Sequence, residues 1–335
     1  MTIKRKSFAL GLLALALSLG LGKLVFAQGK TLTIYSGRSE KLIGPLIEQA
    51  ERDLGMNIEV RYGKTAAMAI AILEEGGNSP ADIYFGQDAG ALGALSEEGR
   101  TEAIPNRLLN KVDSKFRARN GQWIGISGRA RVVDYNINNV AASELPRSVF
   151  DLTDQKWRGK VGWAPTNGSF QAFVTAMRLK EGNERTLKWL KDMKANGTKI
   201  YPKNTPIVEA LGRGEIELGL VNNYYLYRFT KDDPDFPVAH HYMPADVGSM
   251  INVAGVAIVD TTDQKGDAEK FIEYLLSDSS QEFFANTTNE YPLVSGIEVS
   301  KNQMPIYQIN PPNIDLSDLS DLEGTLGLLR QAGLL

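Results

Sequence analysis

Short apolar runs alternate with amphipathic stretches along most of this 335-residue chain. Runs rich in β-branched and aromatic residues predict strands, and longer stretches with apolar residues every three or four positions predict helices. The predicted strands are Thr31–Tyr35, Asn57–Tyr62, Asp82–Phe85, Lys160–Trp163, Glu217–Val221 and Val253–Val259. The predicted helices are Leu42–Leu54, Ala66–Glu75, one ending near Glu98, Phe170–Lys180, Arg185–Asn196, Thr205–Arg213, Lys265–Ala285 with a break near Asp278, and Ser317–Ala332. This alternation is typical of an α/β fold.

Two extended segments near the middle of the chain predict a crossing between two lobes. Trp123–Ser127 and Ala130–Tyr135 flank a Gly-Arg pair, and Val253–Val259 is apolar enough to carry the chain back. We therefore expect a two-lobed protein with a cleft and hinge crossings. The predicted first lobe comprises residues 28–128 and about 252–285, and the second comprises about 129–251 and 286–335.

The first 27 residues have the pattern of a cleavable signal peptide. A basic start at Lys4, Arg5 and Lys6 precedes the apolar stretch Phe8–Leu21, and small residues before Gln28 mark a cleavage site. The apolar stretch is shorter than the ~20 residues that a membrane-spanning helix needs. We therefore expect residues 1–27 to be removed and the mature, soluble protein to be located in the periplasm.

Composition narrows the class of protein further. The chain has no cysteine, which excludes disulfides and a lipid anchor at a cysteine. Its formal net charge is −3, and loss of the basic signal segment makes the mature chain more acidic. An acidic chain of this kind is not expected to bind nucleic acid. Its length suffices for two domains, and we expect a monomer.

The segment from Glu217 to Phe229 carries the most specific chemistry. A predicted strand ends in two asparagines and two adjacent tyrosines, Tyr224 and Tyr225, and a helix is predicted to begin near Tyr224. Unpaired backbone N–H groups at such a junction favour an anion, and two phenolates suit a hard, highly charged cation. The alternative is structural, because aromatic residues at helical spacing are often the buried edge of a helix.

Other polar residues give weaker signals. The loop Asn167–Ser169 precedes a predicted helix, which is the geometry of an anion site and also of an ordinary cap. Arg129 and Arg131 are expected to be paired structurally, although either could hold an anion. His240 and His241 occupy opposite faces of an extended segment, so we expect surface residues rather than joint metal ligands.

The sequence motifs give little support for an enzyme. Ser127 lies between two glycines, but Gly125–Arg129 lacks the last glycine of a nucleophile elbow. The sequence shows no convergent Ser/His/Asp set and no paired-carboxylate signature. A secreted hydrolase is therefore disfavoured, and we expect a binding protein that is not an enzyme.

Several motifs together resemble the periplasmic ferric-iron-binding proteins of ABC transporters. The resemblance covers nearly the whole mature chain, and its most specific part is the Asn-Asn-Tyr-Tyr segment. The motifs that carry it are Ile34–Arg38, Ser79–Asp82, Ser127–Arg131, Pro165–Gly168, Val221–Tyr225 and Glu290–Leu293.

The resemblance implies a transferrin-like clamp of the type II periplasmic binding protein fold, which delivers Fe³⁺ to an inner-membrane ABC permease. It implies that Tyr224 and Tyr225 are the iron ligands and that a synergistic anion, such as carbonate or phosphate, completes the coordination shell. By position, the residues that match the family's anion pocket are Asn167, Gly168, Ser169, Asn204 and Asn222.

This chain departs from the family pattern in the first lobe. Ser39 stands where one branch of the family has a histidine ligand, Gln87 stands where it has a glutamate, and Glu40 replaces a tyrosine of another branch. Whether the first lobe supplies a metal ligand is therefore open. The further candidates for cleft contacts are Arg38, Ser39, Glu40, Gln87 and Asp88.

A second function fits the same fold. A periplasmic binding protein for an organic or phosphorylated anion could use Tyr224 and Tyr225 for stacking or hydrogen bonding. The sequence also leaves open which synergistic anion is bound, whether iron arrives free or chelated, and which permease is the partner.

Overall fold

The computed structural model describes residues 31–299 and 303–335. The predicted signal peptide, residues 1–27, lies outside the described residues. Within the part of the chain that is described, none of the helices has the length and apolar character needed to cross a membrane.

Strands and helices alternate as the sequence predicts. The strands are β1 Leu32–Ser36, β2 Ile58–Tyr62, β3 Ile83–Gly86, β4 Thr101–Glu102, β5 Ile124–Asn136, β6 Val161–Trp163, β7 Lys199–Ile200, β8 Leu218–Asn222, β9 Val238–His241, β10 Ile251–Val259 and β11 Tyr291–Pro292. The helices are α1 Glu40–Leu54, α2 Thr65–Glu75, α3 Ala89–Glu97, α4 Asn106–Leu109, α5 Gly168–Glu181, α6 Asn183–Ala195, α7 Asn204–Gly212, α8 Tyr227–Thr230, α9 Lys265–Leu275, α10 Asp278–Asn286 and α11 Leu322–Gln331. The predicted α/β class is confirmed.

The long strand β5 belongs to two sheets and joins the lobes. Its first half pairs with β10, which continues the order β2, β1, β3, β10 and β5 in the first lobe. Its second half pairs with β8 on one side and β9 on the other, and β8 leads on to β6 and β7 in the second lobe. The two lobes therefore share a single 13-residue strand.

The crossing corrects the sequence prediction of two separate strands. Gly128 and Arg129 do not interrupt β5, because they pair with Val253 and Asn252 of β10. Gly128 also pairs with Tyr291 of β11, and a Cβ atom added at Gly128 would lie 3.3 Å from Tyr291 Cβ. Glycine here permits close packing within a strand and does not mark a turn.

Helix boundaries agree with the predictions except at two places. The break predicted near Asp278 is confirmed, because α9 ends at Leu275 and Ser277 caps α10. The predicted final helix from Ser317 instead begins with a 3₁₀ turn, Leu316–Ser320, and α11 follows it. The predicted helix near Tyr224 is a 3₁₀ turn, Asn223–Tyr225, followed by the four-residue α8.

The C-terminal segment contacts both lobes. The 3₁₀ turn Leu316–Ser320 packs on α3, where a Cβ atom at Gly90 would lie only 2.7 Å from the Leu319 carbonyl oxygen. Helix α11 packs on α5, and the Thr175 and Thr325 hydroxyls are 2.7 Å apart. The assignment of residues 286–335 to the second lobe therefore stays a prediction.

Candidate metal and anion site

The tyrosine pair lies where β8 ends. Strand β8 is buried along its length, and the turn after it is tied to β5 because Ala130 N–H donates to Asn223 Oδ1 at 2.9 Å. Tyr224 is buried and Tyr225 is half-buried. Their rings stack with centroids 4.3 Å apart and planes 30° apart. The pair is therefore a preformed feature of the second lobe, with both phenols on one turn.

The first lobe closes on this pair through Gln87, which follows β3. The Gln87 amide Nε2 donates to the Tyr224 hydroxyl at 3.3 Å. Arg129, in the shared strand β5, donates through Nη2 to the Gln87 carbonyl oxygen. The loop after β3 is thus held between the two lobes, and the Gln87 side chain contacts Tyr224 of the pair.

The environment of Tyr224 opposes ionisation in the absence of a cation. Burial raises the pKa of the Tyr224 phenol well above its ordinary value, and Tyr225 and Glu290 add to the shift, whereas the Arg129 charge opposes it. A metal that binds the Tyr224 oxygen must therefore displace its proton.

Two arginines of β5 place positive charge next to the site. Burial, together with the charge of Arg129, lowers the pKa of Arg131 to about 9. Arg131 Nη2 donates to the Ser169 carbonyl at 2.9 Å, and its guanidinium carbon lies 5.6 Å from the Phe170 ring centroid. The expectation that Arg129 and Arg131 have a structural role is supported. The hydrogen-bond partners of both arginines are, however, carbonyl oxygens rather than carboxylates.

The residues expected in the anion pocket lie at one edge of the second sheet. Strands β6, β7 and β8 are parallel neighbours, so the loops at their carboxyl ends meet there. Asn167 caps α5 and accepts from Ser169 N–H at 3.1 Å, Asn204 begins α7, and Asn222 ends β8.

Buried amide groups at this edge lack protein partners. Asn204 is only 1% exposed, and neither its oxygen nor its nitrogen has a hydrogen-bond partner among the described residues. Asn222 Nδ2 is also buried and has no hydrogen-bond partner within the described ranges. Buried polar groups are normally satisfied, so these amides indicate a place for a polar ligand.

The remaining first-lobe candidates differ in how they are placed. Arg38 is fully buried and binds Glu290 through two hydrogen bonds of 3.1 and 2.6 Å. Ser39 and Glu40 are exposed at the start of α1, and Ser39 makes no capping hydrogen bond there.

Asp88 is a first-lobe carboxylate that faces the second lobe. It caps α3 by accepting from Ala91 N–H at 3.1 Å, and its burial raises its pKa while Arg129 opposes the shift. A Cβ atom at Gly168 would lie 3.2 Å from Asp88 Oδ2. Asp88 and the start of α5 therefore meet across the cleft.

The prediction of surface histidines is wrong. His240 Nδ1 lies 2.6 Å from Asp134 Oδ1, and His241 Nε2 lies 2.6 Å from the Pro146 carbonyl oxygen. Both rings are partly buried because β9 packs along β5, which brings Asp134 opposite His240. Their separate partners agree with the expectation that they do not act as joint ligands.

Three cleft residues were not predicted. Arg228 places its guanidinium 4.9 Å from the Tyr225 ring centroid and 5.7 Å from that of Tyr224. Asn223 and Asn252 each have a buried amide nitrogen without a partner in the described part of the chain. The short spacing between Tyr225 and Arg228 could have indicated the contact between these two side chains. Asn252, in contrast, approaches the site only because β10 pairs with β5.

Among the described residues, the site contains no group of three or more His, Cys, Asp or Glu side chains that could hold a metal ion. The donors that converge are phenol oxygens and amides, which matches the oxygen preference of a hard trivalent cation.

Comparisons with known proteins agree with this architecture. A family of bacterial extracellular solute-binding proteins matches residues 78–311. The major ferric iron-binding protein of Neisseria meningitidis is 31% identical over an alignment of 308 residues, which covers 90% of this chain and 93% of that protein. Iron-bound HitA from Pseudomonas aeruginosa has 31% identity and a TM-score of 0.86, covering 91% of this chain and 99% of that one. A Trichodesmium protein called IdiA or FutA, solved with iron and citrate, has 28% identity and a TM-score of 0.78, covering 91% of this chain and 100% of that one.

The fold and the cleft define a two-lobed periplasmic binding protein. The chain belongs to the family of bacterial extracellular solute-binding proteins, and its relatives include proteins named for ferric iron. The resemblance stated from the motifs is therefore confirmed, as is the two-lobed fold. The family is one of solute-binding transport proteins rather than of enzymes.

Proposed function

We propose that this protein binds Fe³⁺ between its lobes through the phenolate oxygens of Tyr224 and Tyr225. The observation that carries the proposal is the stacked pair at the carboxyl edge of the second sheet, with Gln87 of the first lobe against Tyr224. Phenolate oxygen is a hard donor and Fe³⁺ is a hard acceptor. The names of the relatives and the iron-bound structural neighbours support the same metal.

An anion is proposed to complete the coordination shell. Two phenolates leave vacant positions on Fe³⁺, and the buried, unpartnered amides of Asn204 and Asn222 lie at the same edge. With Asn167, Gly168 and Ser169 at the start of α5, they offer neutral donors for carbonate or phosphate. The citrate in one neighbouring structure shows that an anion accompanies iron in that protein.

The first lobe is proposed to close the site mainly through Gln87 and Asp88. Gln87 already contacts Tyr224, and Asp88 faces Gly168. Arg38 is committed to Glu290, so we assign it to holding the end of β1 rather than to binding the anion. Ser39 and Glu40 are exposed and contribute little in this arrangement.

The cellular role follows from the class. We propose that the protein is exported by its signal peptide to the periplasm, works there as a monomer, and delivers iron to an inner-membrane ABC permease. Its lobes would move about hinges in β5 and β10, which correspond to the predicted crossings near residues 128 and 252.

The direct test is metal analysis and a visible spectrum of the protein purified without added metal, before and after one equivalent of ferric citrate. A ferric phenolate site gives a coloured protein with one iron per chain. The colour reports metal binding directly, so the test needs no assay of enzyme activity. A colourless protein that carries a tightly bound organic or phosphorylated anion, identified by native mass spectrometry, would support the second candidate instead.

A further inference from the structure

Arg228 lies against both rings of the tyrosine pair. Its guanidinium carbon is 4.9 Å from the Tyr225 ring centroid and 5.7 Å from the Tyr224 ring centroid, while the two ring centroids are 4.3 Å apart. These three distances place the guanidinium beside the stack rather than at one end of it. Arg228 is exposed, and among the described residues it has no hydrogen bond and no ion pair. Its charge is therefore available to a ligand.

The local backbone explains this placement. The 3₁₀ turn Asn223–Tyr225 continues through Leu226, which has helical dihedral angles, into α8, Tyr227–Thr230. Residues three and four positions apart share one face of a helix, and long side chains lie back over the preceding turn. The Arg228 side chain is therefore directed towards the two tyrosines and towards the carboxyl end of β8.

The usual structural partner of an exposed helical arginine is a carboxylate one turn away. Asp232 has this spacing from Arg228, but no ion pair joins the two within the described ranges. The first lobe supplies no carboxylate to Arg228 either, although Gln87 already contacts Tyr224 across the cleft. Stacking of an exposed guanidinium on a ring is a weak interaction by itself. The arrangement leaves a free guanidinium fork, the group that binds carboxylates most specifically.

The charge of the proposed ferric centre determines what fits between the metal and Arg228. Fe³⁺ bound by the phenolates of Tyr224 and Tyr225 keeps a net positive charge, which repels the nearby guanidinium. A small anion whose oxygens are all used by iron and by the amides of Asn204 and Asn222 leaves part of this repulsion uncompensated. A chelator with an additional carboxylate places negative charge between the two cations, and both attract it.

We propose that this protein binds Fe³⁺ together with a small polycarboxylate, and that Arg228 binds a carboxylate of this chelator that does not ligate iron. The inference rests on the proposed ferric function and narrows its substrate to a ferric polycarboxylate chelate. Oxygen atoms of the chelator fill the positions that the two phenolates leave vacant, as a hard cation prefers. Tyr225 is half-buried and Arg228 is exposed, so the additional carboxylate lies on the solvent side of the site.

The test compares two anions on the mature protein loaded with one equivalent of iron in bicarbonate buffer. Citrate and 2-hydroxyisobutyrate share one α-hydroxycarboxylate group, but only citrate has two further carboxylates. The shift of the visible band during titration gives the apparent affinity for each anion, and native mass spectrometry shows whether citrate is retained. Iron content is measured at the end of each titration. We expect citrate to bind about tenfold more tightly or better.

Two variants test the role of Arg228, and a third is the matched control. Arg228→Gln keeps a long polar side chain without the charge, and we expect about a tenfold loss of citrate affinity with no change for 2-hydroxyisobutyrate. Arg228→Lys keeps the charge without the planar fork, so we expect a smaller loss of citrate affinity. Lys231→Gln removes the same charge from an exposed neighbouring position, and we expect no change for either anion.

Four results overturn the inference. Equal losses for both anions in Arg228→Gln would show that Arg228 only supports the tyrosines, and unchanged citrate affinity would show that it only stacks on them. An equal loss of citrate affinity in Lys231→Gln would show a general effect of charge. Iron uptake by the wild-type protein without a preference for citrate overturns this inference alone, whereas no iron uptake at all overturns the proposed ferric function as well.

Discussion

Gln87 Nε2 donates a hydrogen bond to Tyr224 Oη across the cleft at a distance of 3.3 Å. This contact joins the loop after β3 in the first lobe to the junction after β8 in the second. It places a neutral amide, rather than a carboxylate or an imidazole, next to the proposed ferric ligand. The contact therefore defines what the first lobe adds to the site and how it can be tested.

We expect the first-lobe substitutions to have small effects on iron affinity. Gln87→Ala removes one neutral hydrogen bond to Tyr224, which corresponds to about tenfold or less. Ser39→Ala removes an exposed hydroxyl that makes no capping bond, and we expect almost no change. Affinity is measured by competition with citrate. A hundredfold loss for Ser39→Ala would show that the loop after β1 ligates the metal after all.

Anion and iron should bind with positive coupling. Ser169→Ala combined with Asn204→Ala weakens the proposed anion pocket, and we expect weaker iron binding and a shifted visible band although no metal ligand is changed. The coupling is on the order of 1–3 kcal/mol if it is typical, and it is reciprocal. Asn138→Ala with Ser143→Ala, both exposed, is the matched control.

One result would contradict the proposal that an anion completes the coordination shell. Equal iron affinity in rigorously anion-free buffer and in buffer with carbonate or phosphate would show that iron binding does not require an anion. Asp88, the buried carboxylate that faces Gly168, would then be the first candidate to complete the shell, and Glu40 would be the second.

Iron affinity should fall as the pH falls. Burial raises the pKa of Tyr224 above its usual value of about 10, so the phenol is protonated at neutral pH and must release its proton to bind Fe³⁺. Each proton released lowers the apparent affinity about tenfold per unit of decreasing pH. The measurement is a competition titration from pH 8 to pH 5.5, corrected for protonation of the competitor. An affinity independent of pH would contradict phenolate ligation.

The buried Arg38–Glu290 pair should be important for stability. Both side chains are fully buried, and Glu290→Gln leaves the Arg38 charge without its partner, so we expect a loss of ~3–5 kcal/mol in the free energy of unfolding. Asp192→Asn, which breaks the exposed pair with Lys188, should cost less than ~1 kcal/mol. Denaturant titration measures both changes. Equal losses would show that the buried pair has no special role.

The same pair gives a pH dependence with a definite sign. Burial alone would raise the pKa of Glu290, but Arg38 and Arg129 pull it below its ordinary value. The pair therefore stabilises the fold above the unfolded-state value of about 4.3, and this contribution is lost as the pH falls through the lower folded-state pKa. Glu290→Gln should remove this part of the acid dependence.

The local pattern of apolar residues predicted most of the strands and helices and the second-lobe part of the candidate site. Strands β6 and β8 follow from apolar runs, whereas the two-residue strand β7 was not predicted. The carboxyl ends of these three parallel strands bring Asn167, Asn204 and Asn222 to one edge by topology. The strand-like segments on either side of Gly128 were predicted, but their continuity depends on pairing with β10 and β11, which no local pattern contains.

The remaining features depend on contacts between distant positions. Asp134 holds His240 from 106 positions away, so two residues predicted at the surface are partly buried. Arg38 meets Glu290 across 252 positions, which makes a candidate cleft contact into a buried ion pair. Such pairings are set by the packing of whole strands, and one sequence gives no signal for them.

The most direct test of the ferric site is the visible spectrum and iron content of the Tyr224→Phe/Tyr225→Phe protein after exposure to one equivalent of ferric citrate. The substitution removes only two hydroxyls, so circular dichroism should show an intact fold. Tyr274→Phe, which removes a hydroxyl bound to Asp53 outside the cleft, is the matched control and should keep its colour. We predict that the double variant is colourless and holds no stoichiometric iron. Wild-type iron affinity in the double variant would contradict the assignment of the tyrosine pair as the metal site.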